Sequence, residues 1–175
     1  VGRGDGTTPP VAIAHHHHGL PPDGGGQVVM RLGQLGLQPE EHPRRLEDVA
    51  HFELEGQDIV LLQEVPWTWR VGPGAAYLGQ ASGLNHAYLR ANGNRWAMLF
   101  EEGEAILSRF PLRDVRFIEL RPREAPFQHR VAVSAVVDTA LGPLRVVSTH
   151  LANQNPTVNQ EQASTLAHFV AAQPG

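Results

Sequence analysis

Three segments of this chain end an apolar run on a polar, ionisable side chain. Asp58-Ile59-Val60-Leu61-Leu62-Gln63-Glu64-Val65 leads a short apolar run into an amide and a carboxylate. Glu102-Gly103-Glu104-Ala105-Ile106-Leu107-Ser108-Arg109-Phe110-Pro111 sets a glycine before a second apolar run and a hydroxyl and a guanidinium after it. Val146-Val147-Ser148-Thr149-His150-Leu151 brings an imidazole to the end of a third. Carboxylate, guanidinium and imidazole are the groups that do acid–base and anion chemistry. Taken singly, each has a plain structural explanation. Glu64 reads as a solvated strand end, Arg109 as a surface ion-pair residue and His150 as a hydrogen-bonded core histidine.

The elements that must position these groups follow from apolar spacing. The runs 59–62 and 105–107 are short, continuous and closed by Pro66 and Pro111, which predicts buried central strands. Residues 115–120 are a candidate third strand. The β-rich runs 131–138 and 144–148, joined across Leu141-Gly142-Pro143, predict a hairpin. Leu46, Val49, Ala50 and Leu54 fall at helical spacing, and Ala163, Leu166, Ala167 and Val170 mark a last amphipathic helix over 160–172. Residues 1–45 hold 9 Gly and 6 Pro, so most of that segment must be turn or loop. Its exceptions are a strand-like run at 11–14 and a weakly apolar stretch at 27–37. The order is mixed α/β, without an internal repeat.

Composition removes several classes. The 175 residues suit one domain with a sizeable core. There is no Cys, which excludes a disulfide scaffold, a Cys-ligated zinc site and a Cys nucleophile. All 14 basic residues are Arg, so no Lys can serve a phosphate loop, a kinase or a Schiff base. A net charge of −4 argues against a strongly basic nucleic-acid binder. No apolar run reaches the roughly 18 residues of a membrane span. No secretory leader is visible, which tilts the reading toward the cytoplasm and leaves the compartment open.

The three segments in this order resemble the endonuclease/exonuclease/phosphatase superfamily, the DNase I-like phosphodiesterases. The resemblance runs over about residues 43–172, through Leu-Gln-Glu-Val, Gly-x-Ala-Ile-Leu-Ser-Arg-Phe-Pro and Thr-His-Leu. It implies an α/β fold, a four-layer α-β-β-α sandwich of two face-to-face sheets with helices outside. It implies that Glu64 ligates Mg²⁺ or Mn²⁺ with Gln63 packed behind it. His150 then contacts the scissile phosphate, with Thr149 as its support, and Arg130 is a candidate for neutralising a phosphate oxygen. Tyr88 and Arg109 are weaker substrate-contact candidates. A fainter match upstream sets 11–14, His17-His18-Gly19 and Asp23-Gly24 on the family's opening strand and motif. It puts His15 where the family has a metal-site Asn, with an insertion at about 20–45 and a disordered tail over 1–10.

Departures limit the resemblance. The family's Gly-Asp-x-Asn strand after the last helix and its closing Asp-His pair do not occur in this sequence. Asn159 stands where the family has an Arg, while Gln162 is retained. The expectation is therefore a domain incomplete at its C-terminus, inactive or nearly so on its own, from a metal-dependent phosphoester hydrolase. Its partner is a phosphoester (nucleic acid, phospholipid headgroup or small molecule), and it acts as a monomer. The competing readings are a non-catalytic relative that keeps the fold and a transition-metal binder built on His15–His18. Arg109, Arg113, Arg116, Arg121, Arg123 and Arg130 form either a backbone-tracking stripe or, with Asp114, Glu119 and Glu124 between them, a mixed-charge surface.

Overall fold

The computed structural model describes residues 11–13, 28–31, 54, 56–69, 71–94 and 96–174. Its elements, in order, are β1 (Val11–Ile13), β2 (Val28–Arg31), β3 (Ile59–Thr68), β4 (Gly72–Pro73) and α1 (Gly74–Ser82). They continue as β5 (Asn85–Asn94), β6 (Phe100–Ser108), β7 (Leu112–Leu120), β8 (Arg130–Thr139), β9 (Gly142–Thr149) and α2 (Pro156–Ala171). One sheet has the order β1-β9-β8-β7, and the other β2-β3-β6-β5 with β4 on β3.

Alternation along the strands builds the layers. Leu61 and Ile106 of one sheet meet Val133, Ala135, Val137 and Val146 of the other, forming the core between the sheets. The opposite face of the first sheet, with Val60, Leu62, Ala105 and Leu107, packs on Ala75 and Leu78 of α1 and on Leu54. The opposite face of the second, with Leu120, Ala132 and Val147, packs on Leu166 of α2. The result is the α-β-β-α sandwich. The apolar runs of β3, β6, β8 and β9 are buried on both faces because each sheet is covered on both sides there.

Three sequence expectations shift. Pro66 does not stop β3, which pairs on through Thr68 against Phe100. A proline removes one donor, and β4 supports the strand from Trp67 onward. The last helix starts at Pro156 rather than 160, because Asn155 caps the backbone N–H groups of Thr157 and Val158 and Pro156 occupies the first turn. Helix α1 and strand β5 have weak apolar periodicity and were not foreseen. The predicted helix around Leu46 lies outside the described residues, apart from Leu54, as do the tail over 1–10 and most of the segment 20–45. Within that segment the 27–37 stretch yields β2, parallel to β3 with Arg31 opposite Gln63.

Candidate active site

The site forms where the bulged middle of β3, paired with β6, meets the start of β8 and the end of β9. In β3 the register slips between Leu62 and Val65, so Gln63 and Glu64 face the single residue Glu104 of β6. This bulge turns Glu64 to a left-handed φ of 55°, uncommon for a side-chain-bearing residue and typical of functional turns. A second slip, between Arg90 and Asn92 of β5, lies on the other side of Gly103. A Cβ at Gly103 would collide with the backbone carbonyl of Leu89. Glycine there lets two bulged strands close on one, which bends the sheet at the site.

β9 delivers Ser148, Thr149 and His150 to the same end. His150 Nδ1 lies 3.1 Å from Glu64 Oε1 and 3.1 Å from Arg130 Nη1. That nitrogen serves one partner at a time. Protonated, it donates to Glu64; unprotonated, it accepts from Arg130. Gln63 Nε2 donates to the Thr149 carbonyl at 2.6 Å, and Thr149 Oγ1 donates to the Val131 carbonyl at 2.9 Å. These two bonds tie the Glu64 strand and the Arg130 strand to the strand that carries His150. Gln162 of α2 holds the loop after His150, accepting from Ala152 N at 2.8 Å and donating to the Pro122 carbonyl at 2.7 Å. Arg130 Nε is a buried donor, and Gln63 Oε1 a buried acceptor, without a hydrogen-bond partner among the described residues.

Of the residues singled out from sequence, Glu64, Gln63, Arg130, Thr149 and His150 are brought together. Arg109 is not. It pairs with Asp58 at 3.2 Å, at the opposite end of β3, about 20 Å along the strand from Glu64 at about 3.3 Å per residue. Tyr88 is not either. It packs against the cluster beneath α1, on the far face of the sheet. His15 lies outside the described residues, after β1, which runs parallel to β9 with Ile13 opposite Val147. The arginine run is a mixed-charge surface. Arg113 pairs with Asp138, Arg116 with Asp114, and Arg121 and Arg123 with Glu119.

One site residue was missed. Glu104, the residue facing the bulge, is 3% exposed. Burial pushes its carboxyl up from 4.5 to about 8, against the opposing pull of Ser148 and Arg130. Its signal in the sequence was an acid inside the inward-facing period of a buried strand, one residue before Ala105-Ile106-Leu107.

The site opens into a trough with a cavity volume of about 1070 Å³, which begins at Glu64 and Arg130 and runs between the edges of the two sheets. Comparison with solved structures identifies this architecture. An endonuclease/exonuclease/phosphatase family protein from Leptotrichia buccalis superposes with a TM-score of 0.60 at 12% identity, over 81% of this chain and 61% of that one. The chain has the DNase I-like fold. ANGEL2, a 2′,3′-cyclic phosphatase, superposes at 0.54 with 21% identity, over 75% of this chain and 39% of that one. TDP2 from Caenorhabditis elegans superposes at 0.53 with 20% identity, over 84% and 44% respectively. The chain thus spans about 40 to 60% of the length of these structures. No family model matches the sequence, and no curated protein does. Among the described residues no helix is long and apolar enough to cross a membrane.

Proposed function

We propose that the protein is a divalent-cation-dependent phosphoester hydrolase whose site is built on Glu64, His150 and Arg130. The observation that carries this reading is the unpartnered Arg130 Nε, buried beside His150 and Glu64 at the foot of the trough. A buried donor without a partner is costly, and a phosphate oxygen is a strong, charge-assisted acceptor for it. The DNase I-like fold, shared with phosphatases such as ANGEL2, supports the same chemistry.

The donor set fits Mg²⁺ or Mn²⁺. Mg²⁺ is held by about one or two carboxylates together with substrate phosphates and water. Glu64 supplies one such carboxylate, with its side chain 23% exposed at the trough. Among the described residues no group of three His, Asp or Glu side chains forms a closed cage. Bound there, the cation would polarise the phosphoryl oxygen and offset developing charge. His15 stays a further candidate metal contact on the sequence resemblance alone. The remaining work belongs to the chain's own groups. Arg130 orients the anion, Glu64 or Arg130 holds the His150 ring at Nδ1 according to its protonation, and Gln63 and Thr149 tie the strands together.

Among the described residues, Glu104 faces the bulge as a sealed acid, and Glu102, which lines the same cavity as Glu64 and His150, accepts a hydrogen bond from Asn92 Nδ2 at 3.1 Å. That favours a second reading, in which this chain binds cation and phosphoester without turning the ester over. Calorimetry with Mn²⁺ and dimethyl phosphate, alongside hydrolysis of bis(4-nitrophenyl) phosphate, separates the two. Glu64→Gln is expected to weaken Mn²⁺ binding at least tenfold. His150→Ala is expected to spare Mn²⁺ binding and to cut any turnover about 100-fold, at the low end for acid–base and charge groups. Unchanged Mn²⁺ affinity in Glu64→Gln refutes the site. Cation and ester binding without hydrolysis selects the second reading.

A further inference from the structure

The trough is far larger than one phosphate needs, and its far end is not built for charge. Beyond Glu64 and Arg130 it is walled by Phe100 and Met98 from the β5–β6 hairpin and by Phe117 and Phe127 from β7 and the β7–β8 connection. Both sheets therefore contribute to it. Phe127 is 89% exposed and Phe117 54% exposed, although both are large apolar side chains. Apolar surface clustered in a concave site adjoining polar groups marks a ligand subsite.

Charge narrows the ligand. Two arginines, Arg90 and Arg130, line the trough against three carboxylates, Glu64, Glu102 and Glu119. Arg90 is already engaged, 3.0 Å from Glu101. Glu119 is held below the usual carboxylate range, chiefly by its hydrogen bond from Arg123, so it stays charged. A polyanion needs several free cations along its path, and Arg130 is the one lining arginine without a carboxylate partner among the described residues. A flat apolar ring needs none and gains from aromatic walls.

Resting on the phosphoesterase reading, we propose that the substrate is a small phosphodiester with a planar aromatic group, seated between Phe100, Phe117 and Phe127. Its single phosphate lies at Arg130. Inositol polyphosphates and long nucleic-acid strands, which need several free cations, are the competing ligands. The aromatic group is an aryl ester or a nucleobase, which share this chemistry.

Calorimetric titration in Mg²⁺ tests the proposal with four probes: dimethyl phosphate, methyl phenyl phosphate, adenosine 5′-(methyl phosphate) and inositol hexakisphosphate. At least one ring-bearing probe is expected to bind tenfold or more tighter than dimethyl phosphate. The larger gain identifies the ring as aryl or nucleobase, and either supports the proposal. In the double variant Phe117→Ser/Phe127→Ser the ratio should fall to near one. Leu141→Ser, on the fully exposed β8–β9 turn, should keep it. Equal binding of ring-bearing and ring-free probes overturns the proposal, as does a ratio that survives the double variant. Tightest binding by inositol hexakisphosphate also overturns it. If dimethyl phosphate and every other probe fail to bind, the phosphoesterase reading falls with it.

Discussion

Replacing Glu104 with Gln should make the stability of this protein less sensitive to pH. Ser148 Oγ lies 3.0 Å from the Leu62 carbonyl and 3.3 Å from Glu104 Oε2. A hydroxyl has one proton to give. If Ser148 donates it to Leu62, an ionised Glu104 is left without that donor, whereas a neutral Glu104 can donate to Ser148 Oγ. Burial points the same way, raising the carboxyl from 4.5 to about 8, with Glu64 and Glu102 adding to the rise. Below 4.5 the group is protonated in the folded and unfolded chains alike, and its contribution is fully present. Between 4.5 and 8 only the unfolded chain releases the proton, so stability falls by about 1.4 kcal/mol per pH unit. Over that window the loss is about 5 kcal/mol, and above 8 it levels off. Glu104→Gln keeps the shape and a donor for Ser148 but cannot ionise. Urea unfolding of both proteins at pH 5, 6, 7 and 8, followed by tryptophan fluorescence, isolates the effect, since the other groups titrate in both. The variant's advantage should grow from about 1 kcal/mol or less at pH 5 to several kcal/mol at pH 8. Parallel stability curves would refute the assignment of a neutral, buried Glu104.

Further outcomes follow from the same geometry. Gly103→Ala should destabilise by about 3 kcal/mol, an overpacking cost at the upper end because the clash is with backbone, and should lower the thermal midpoint by several degrees. Arg145 is 4% exposed and pairs with Asp114 at 2.8 Å, and hydrogen bonds from Arg145 and Arg116 hold the Asp114 carboxyl below its usual range. The stability that Asp114 contributes is present above the ordinary carboxylate pKa and is lost on acidification. Arg145→Met should therefore lower the thermal midpoint at pH 7, and the gap to wild type should narrow as pH falls below about 4. Gln162→Leu leaves the Ala152 N–H and the Pro122 carbonyl without their partner, and should cost about 2 kcal/mol in chemical unfolding. From the sequence resemblance, His15→Ala should weaken Mn²⁺ binding read by calorimetry, and unchanged affinity removes His15 from the metal site.

Much of the frame was legible in the linear pattern. The runs 59–62, 105–107, 131–138 and 144–148 became strands because unbroken apolar stretches can only be buried on both faces. The ordered polar residues at their ends named Glu64 and His150. Local pattern misled where position in the sheet decides. Pro66 ends an apolar run but not its strand. Arg109 follows a motif yet sits at the wrong end of it, because β6 runs antiparallel to β3 and its last residues return to the start of the other strand. Tyr88 alternates onto the helix-covered face.

What the sequence alone determined is the set of buried strands and the chemical groups placed at their ends. Apolar periodicity is a local property, and burial follows from it. Only the tertiary structure decided which of those groups meet. The Gln63–Glu64 bulge sets two residues against Glu104, and the packing of the two sheets brings Glu64 within 3.1 Å of His150. It also decided that Glu104 would be sealed from water. Register, bulges and sheet packing join residues far apart in the chain, and a buried carboxyl acquires its properties from neighbours that are not beside it in the sequence.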